Sequence, residues 1–142
     1  VGIALRERNP KVKIYLADPM GSGIYSWYAR HEFKPEGSSI TEGIGNNRET
    51  KNLEGFAPDG QYQITDEEML PILFSLAFDE GLILGGSTGI NVCGAIRLAR
   101  DLGPGHTIVT ILADSGTRYQ SKLFNPEFLK ERNLPSPPWM AG

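Results

Sequence analysis

Gly85-Gly86-Ser87-Thr88-Gly89 is the stretch of this 142-residue chain best suited to chemistry. A short apolar run, Leu82-Ile83-Leu84, leads into the glycines, and a segment with apolar residues at helical spacing follows. That order predicts a strand, a tight turn and a helix N-terminus, which together turn backbone N–H groups and a hydroxyl toward a ligand. A second strand, predicted over 107–113, ends in Asp114-Ser115-Gly116-Thr117-Arg118-Tyr119. Two strands running into polar, glycine-bearing loops point to a ligand site at the carboxyl edge of a parallel sheet.

Rival chemistries fit these residues less well. No Lys-Ser/Thr pair follows the glycines and the GxGxxG spacing is absent, so neither a phosphate loop nor a dinucleotide fingerprint is present. Asp114 and Ser115 suggest a hydrolase, but the two histidines, His31 and His106, lie in a loop and just before a strand, without a nucleophile-elbow sequence. One cysteine and two histidines without ligand-like spacing make no metal site. Ser87 also has a plain reading, because serine is favoured at helix N-caps; from the residues alone a structural role stands level with a ligand role. Glu67 and Glu68 read as charges favoured by a helix dipole, and Cys93 as a core residue on an apolar helix face.

The elements that must hold this site alternate. Residues 1–9 read as the last turns of a helix, stopped by Asn9-Pro10 and lacking a capping residue at the front, which suggests a chain cut from something longer. Val12–Ala17 reads as a strand closed by Asp18-Pro19. Residues 20–63 show no clear pattern and predict a long, irregular functional segment. Thr65-Asp66-Glu67-Glu68 matches a capping box at the head of an amphipathic helix carrying Met69, Ile72, Leu73, Leu76 and Ala77. Pro71 inside it predicts a kink or a later start, and Gly81 a stop. A helix from about Gly89 to Leu102 follows, then the strand over 107–113 and a helical turn or two around Asn125–Arg132. Residues 134–142 form a proline-stiffened tail lying across another surface. The βαβαβ order reads as an α/β sheet.

Bulk properties bound the function. A net charge of −3 and a pI near 5.4 argue against binding nucleic acid or an anionic membrane surface. No apolar run approaches the roughly 20 residues of a bilayer span. A lone cysteine gives no intrachain disulfide and suits a reducing cytoplasm.

Three blocks in order, Glu42-Gly43-Ile44-Gly45, Glu80–Asn91 and Pro104–Tyr119, resemble the C-terminal half of the cysteine synthase (O-acetylserine sulfhydrylase) and cystathionine β-synthase family. The resemblance covers nearly the whole chain. It implies pyridoxal 5'-phosphate as cofactor. It also implies a three-layer α/β fold with a mostly parallel sheet, the C-terminal part of the larger domain of a fold-type II enzyme. By the same resemblance Ser87 hydrogen-bonds the pyridine nitrogen, with Gly86, Asp114 and Ser115 beside the cofactor. Gly43, Ile44 and Gly45 face the amino-acid part of a small-molecule substrate. A neutral hydroxyl holds that nitrogen less firmly protonated than a carboxylate would, making the ring a moderate electron sink.

The departures matter equally. The family's Schiff-base lysine belongs to an N-terminal motif, and none of Lys11, Lys13, Lys34, Lys51, Lys122 or Lys130 stands in such a context. The resemblance therefore predicts a partial domain over 1–142 with no catalytic residue of its own, inactive without an N-terminal half. That enzyme would form cysteine from an activated serine and sulfide, as a cytoplasmic homodimer. Asn46-Asn47-Arg48 follows the Gly-Ile-Gly where the cystathionine β-synthase branch commonly has an aromatic residue, which favours sulfide over homocysteine. A non-catalytic binding module that kept the fold is the remaining alternative. The reading requires Ser87 at an open rim of the sheet, not in packed interior.

Overall fold

The structure, a computed structural model, describes residues 1–140. Two parallel strands, β1 (Tyr15–Pro19) and β2 (Gly60–Ile64), pair in register from Tyr15 opposite Gly60 to Pro19 opposite Ile64. Helices α1 (Gly2–Arg8), α2 (Ile24–Arg30), α3 (Asp66–Asp79), α4 (Gly86–Leu102) and α5 (Pro126–Glu131) surround them, with single 3-10 turns at Lys51–Leu53, Gly116–Tyr119 and Pro138–Met140. This is a mixed α/β fold with a parallel sheet.

The core lies between α3, α4 and the sheet. Ile64, Met69, Leu70, Leu73, Ile90 and Cys93 are buried there, joined by Leu123 and Leu129. Cys93 is core, and burial pushes its thiol up to about 12. Gly94 lets α4 approach β1: a Cβ on it would stand 2.6 Å from Cβ of Ala17. Thr65 caps α3, its hydroxyl accepting from Glu68 N–H at 3.3 Å. The expected reciprocal bond is not made. The Glu68 carboxylate accepts instead from Arg97 Nε at 2.8 Å, while Arg97 Nη1 donates to the Gln63 carbonyl at 2.9 Å. One guanidinium thus ties α4 to α3 and to β2. α3 starts at Asp66 and runs unbroken through Pro71, which lies on its exposed side.

Residues 20–63 are more ordered than their pattern suggests. α2 is capped from a distance: Asp18, buried at the end of β1, accepts from Tyr25 N–H at 2.8 Å. Burial raises the Asp18 pKa, and its bonds to Ser22 and Tyr25 oppose the rise. The C-terminal tail folds back on α3, where Trp139 stacks on Phe78 and meets Phe74 edge-on, with centroids 6.1 and 6.0 Å apart. Its last two residues, Ala141 and Gly142, lie outside the described residues.

Two predicted strands do not form. Leu82–Leu84 makes one isolated antiparallel bridge, Leu84 to Ser115, and 107–113 joins no sheet. A strand is held by its neighbour's N–H and C=O groups, and among the described residues 107–113 has no such neighbour. Its apolar side chains stand in solvent, with Val109 at 84% and Ile111 at 66% exposure. Among the described residues the sheet therefore has two strands, fewer than the sequence pattern predicts.

α1 is anchored by one carboxylate. Asp59 accepts from Ile14 N–H at 2.8 Å, from Arg6 at 2.7 Å and from Lys13 at 3.1 Å. The Ile14 N–H first, then the two cations, hold its pKa down at about 2 from 3.8. A depressed carboxylate contributes stability that is complete above its ordinary pKa and lost as pH falls through the folded value. Thermal melts between pH 5 and pH 2 are thus expected to fall less steeply for Asp59→Asn than for the native chain below about pH 4. Parallel melting curves would contradict this role.

Candidate functional site

Ser87 sits in the first turn of α4, past the position expected of a cap. The N-cap is Gly85, with no side-chain bond, so the plain capping reading of Ser87 does not hold. The Ser87 hydroxyl is 3.2 Å from Asp114 Oδ1 instead, and the residue is 8% exposed. Asp114 Oδ2 accepts from the Tyr119 hydroxyl at 2.6 Å. Bonding to that carboxylate raises the Tyr119 pKa, with burial and the Asp114 charge adding to the rise.

Backbone bonds bring the two loops together. Gly85 N–H donates to the Asp114 carbonyl at 2.9 Å and Gly116 N–H to the Ile83 carbonyl at 2.9 Å. Gly85 needs to be glycine here for reasons of space: a Cβ would lie 2.2 Å from Asp114 Oδ1 and 2.8 Å from the Tyr119 ring. Gly116 is equally confined, with the Leu84 backbone oxygen 2.8 Å from where its Cβ would be. Although 107–113 forms no strand, α4 holds its end in place. Thr88, fully buried, accepts from Ala113 N–H at 3.0 Å, and Asn91 Nδ2 donates to the Ile111 carbonyl at 3.0 Å.

The Gly43-Ile44-Gly45 segment lies in the same region. Gly86 faces Thr41, whose Cγ2 would be 2.9 Å from a Cβ there. Glu42 pairs with Lys122, three residues beyond Tyr119. Gly43 has φ +72° and nothing within 4 Å of a notional Cβ, so it takes a left-handed turn in the open. Gly45, at φ +80°, is close against Ser22 and Pro19 at the end of β1. Ser22 pins the following residue, accepting from Asn46 N–H at 3.0 Å.

Of the expected residues, Ser87 and Asp114 are in direct contact, Gly86 is beside them, and 43–45 is linked through Thr41 and Glu42. Ser115 serves its own loop. It is exposed and caps the 116–119 turn by accepting from Thr117 N–H. His31 and His106 are both exposed. Two clefts among the described residues, one of about 330 Å³ between α3 and the tail and one of about 530 Å³ at the start of α3, are lined by neither Ser87 nor Asp114, and Ser87 is buried where the sequence reading expects it at an open rim of the sheet. Sequence reasoning missed Tyr119, Thr88, Asn91 and Thr41. Thr88 and Asn91 share one face of α4 at i, i+3 spacing, a signal that could have found them.

A hydroxyl in the first turn of α4 and a carboxylate on the loop paired with it, after a parallel strand pair, are what the structure brings together in this α/β fold. Known proteins narrow the class. Residues 1–114 match the family described as pyridoxal-phosphate dependent enzyme. The chain belongs to that family.

Among its relatives, Cysteine synthase 2 of Schizosaccharomyces pombe is 39% identical over 92% of this chain and 36% of its own length. Cysteine synthase of Dictyostelium discoideum is 40% identical over 92% and 37%. A crystal structure of the O-acetylserine dependent cystathionine beta-synthase from Helicobacter pylori superposes with a TM-score of 0.71 at 32% identity, covering 83% of this chain and 36% of that one. The chain thus spans little more than a third of the length of these relatives.

Proposed function

We propose that this chain is part of a pyridoxal-phosphate enzyme that forms L-cysteine from O-acetylserine and sulfide. The single observation that carries the proposal is the joining of Ser87, Asp114 and the 41–45 segment around the head of α4 in a chain of this family. A hydroxyl backed by a carboxylate is a polar pair of the kind that meets one edge of a pyridine ring: Ser87 offers a neutral hydroxyl held by Asp114, while the Thr41 methyl stands where a side chain on Gly86 would be. The cofactor, when bound, supplies an electron sink for loss of the α-proton and of the β-substituent. Ser87 would meet its ring nitrogen. Gly86, Asp114 and Ser115 would border the ring, Asp114 by holding Ser87. Gly43, Ile44 and Gly45 would lie along the amino-acid substrate, where the open turn at Gly43 leaves its backbone free to approach it.

No lysine of this chain has a sequence context suited to the Schiff base. Lys122 is engaged by Glu42, and Lys13 by Asp59. The 142-residue chain mixed with pyridoxal phosphate is therefore expected to show no visible band from lysine-bound cofactor and no cysteine synthesis. A coloured, active chain would contradict the proposal. The remainder of the enzyme, carrying the lysine, would be its partner, and a cytoplasmic homodimer is the assembly we favour from the family resemblance.

Cystathionine β-synthase activity, with homocysteine in place of sulfide, is a second reading. It is favoured by the Helicobacter pylori likeness and by a Bacillus subtilis relative named O-acetylserine dependent cystathionine beta-synthase, 35% identical over 83% of this chain. Assay of the complete polypeptide with each nucleophile decides between them. Activity with neither would leave the non-catalytic module.

A further inference from the structure

We infer that Asp66 and Ser22 are positioning residues for the substrate segment: standing just past the ends of the two strands, they hold the two ends of residues 39–46 and so set where Gly43 and Ile44 meet the amino-acid substrate. The inference deepens the proposed function and rests on its placement of 43–45. Pro19 and Ile64 pair at the ends of β1 and β2. Ser22 and Asp66 therefore stand at the carboxyl edge of the sheet, the edge at which such sheets bind ligands. Both side chains are buried, and both reach the same distant segment. Residues 39–46 belong to no helix or strand, so their backbone N–H groups have no ladder, and these two side chains stand in for one.

Asp66 holds the front end. Its Oδ1 accepts from the Ser39 hydroxyl at 2.6 Å and its Oδ2 from Ile40 N–H at 2.8 Å. Ser39 has one proton and Asp66 takes it, so in the 2.8 Å contact between the Ser39 and Thr41 hydroxyls Thr41 is the donor. Ser39 Oγ also accepts from Thr41 N–H at 3.1 Å. The Thr41 hydroxyl is thus turned back on Ser39, and its methyl faces Gly86 in the first turn of α4. Ser22 holds the back end. Its Oγ accepts from Asn46 N–H at 3.0 Å, and Gly23 N–H donates to the Asn46 carbonyl at 2.8 Å. A Cβ on Gly45 would stand 2.8 Å from that of Ser22, so the backbone there lies directly on its anchor. Between the two anchors Gly43, at φ +72° with open space around it, is the turn whose place they fix.

The test uses the complete polypeptide loaded with pyridoxal phosphate. Steady-state kinetics are measured against O-acetylserine and against sulfide, and amide hydrogen exchange is followed across residues 39–46. Asp66→Ala is expected to raise KM for O-acetylserine about tenfold, the worth of one charge-assisted hydrogen bond, with kcat and KM for sulfide within about twofold of native. Ser22→Ala should raise it about threefold, since the bond lost is neutral. Asp66→Asn is the rescue: its amide oxygen accepts from Ile40 N–H, its NH2 donates to Ser39, and KM is expected near the native value. Exchange should quicken at Ile40 and Thr41 in Asp66→Ala, and at Asn46 in Ser22→Ala. A native KM for O-acetylserine beside quickened exchange overturns the inference and leaves both residues as supports of the loop alone. Equal losses against both substrates also overturn it, as does Asp66→Asn behaving like Asp66→Ala. Should Asp66→Ala not fold, Ser39→Ala decides, because it cuts the link to Thr41 while Asp66 keeps Ile40, and an unmoved KM there counts against the inference. Gly43→Ala checks the underlying reading, since alanine is strained at that positive φ. If it leaves KM for O-acetylserine unmoved, the placement of 43–45 fails and the inference fails with it.

Discussion

Gly89→Val is expected to destabilise the chain by about 3 kcal/mol, a large share of the roughly 5–15 kcal/mol that holds a domain of this size together. Intrinsic propensity argues the opposite, because replacing a mid-helix glycine normally stabilises by up to about 1 kcal/mol. Packing reverses the sign. A Cβ at 89 would stand 2.5 Å from Cγ and 2.8 Å from Sδ of Met69, and 3.3 Å from that residue's backbone oxygen. Met69 is fully buried between α3 and α4. Its thioether can swing aside, but the backbone oxygen cannot, so the helices themselves must part. Overpacking of that kind costs about 1–3 kcal/mol for a single methyl, and valine's branched Cβ adds to it. Urea midpoints measure the loss. The diagnostic is a cycle with Met69→Ala: the double variant should be more stable than the sum of the singles predicts, because the alanine makes the space that valine fills. Additive losses would show that the two residues do not share that space.

Much of this arrangement was legible in the sequence because it depends on local rules. Thr65 three residues before Glu68 marked the start of α3, and Asn125-Pro126 marks α5, where the Asn125 side chain accepts from Glu127 N–H at 3.0 Å. What escaped depends on residues distant in sequence. The N-cap of α2, Gly23, makes no side-chain bond, and the first N–H groups of the helix go to Ser22 Oγ and to Asp18 on the preceding strand. β2 was hidden inside a segment rich in polar residues. Yet Tyr62 and Ile64 alternate with Gln61 and Gln63, a period of two, and Tyr62 stacks at 6.4 Å on Tyr15 of β1. The opposite error occurred at 107–113. Its β-branched run signals a strand correctly as a local preference, but a strand is a property of a pair.

The site divides along the same line. Ser87 and Asp114 stood out because glycine-bearing turns follow apolar runs, and their contact follows from the pairing of Gly85 with Asp114 and Gly116 with Ile83. Tyr119 carried no comparable mark. It reaches Asp114 only because residues 116–119 wind into a 3-10 turn begun by Ser115. Ser115, selected for its hydroxyl, turned out to matter for that turn. Side chains that aim a functional group are harder to read than the group itself, since their partners are set by the meeting of two loops.

Gly85→Ala tests that meeting directly, and a loss of about 3–5 kcal/mol is expected. The backbone at 85 is extended, with φ −80° and ψ 167°, so alanine meets no conformational strain there. The obstacle is the carboxylate 2.2 Å from the new Cβ, backed by the Tyr119 ring at 2.8 Å. Asp114 must leave its seat, which breaks its bonds to Ser87 and Tyr119 at about 1 kcal/mol each and adds about 1–3 kcal/mol of overpacking. A rival explanation is available, because Gly85 is the N-cap of α4 and alanine is a poor cap. Gly85→Ser separates the two. Serine is a better cap than glycine, so if capping governs, this variant should match or exceed the native chain in a urea melt. If the seat governs, serine carries the same Cβ into the same carboxylate, and it should lose nearly as much as alanine. A Gly85→Ser chain as stable as the native one would show that Asp114 does not depend on the bare Cα beneath it.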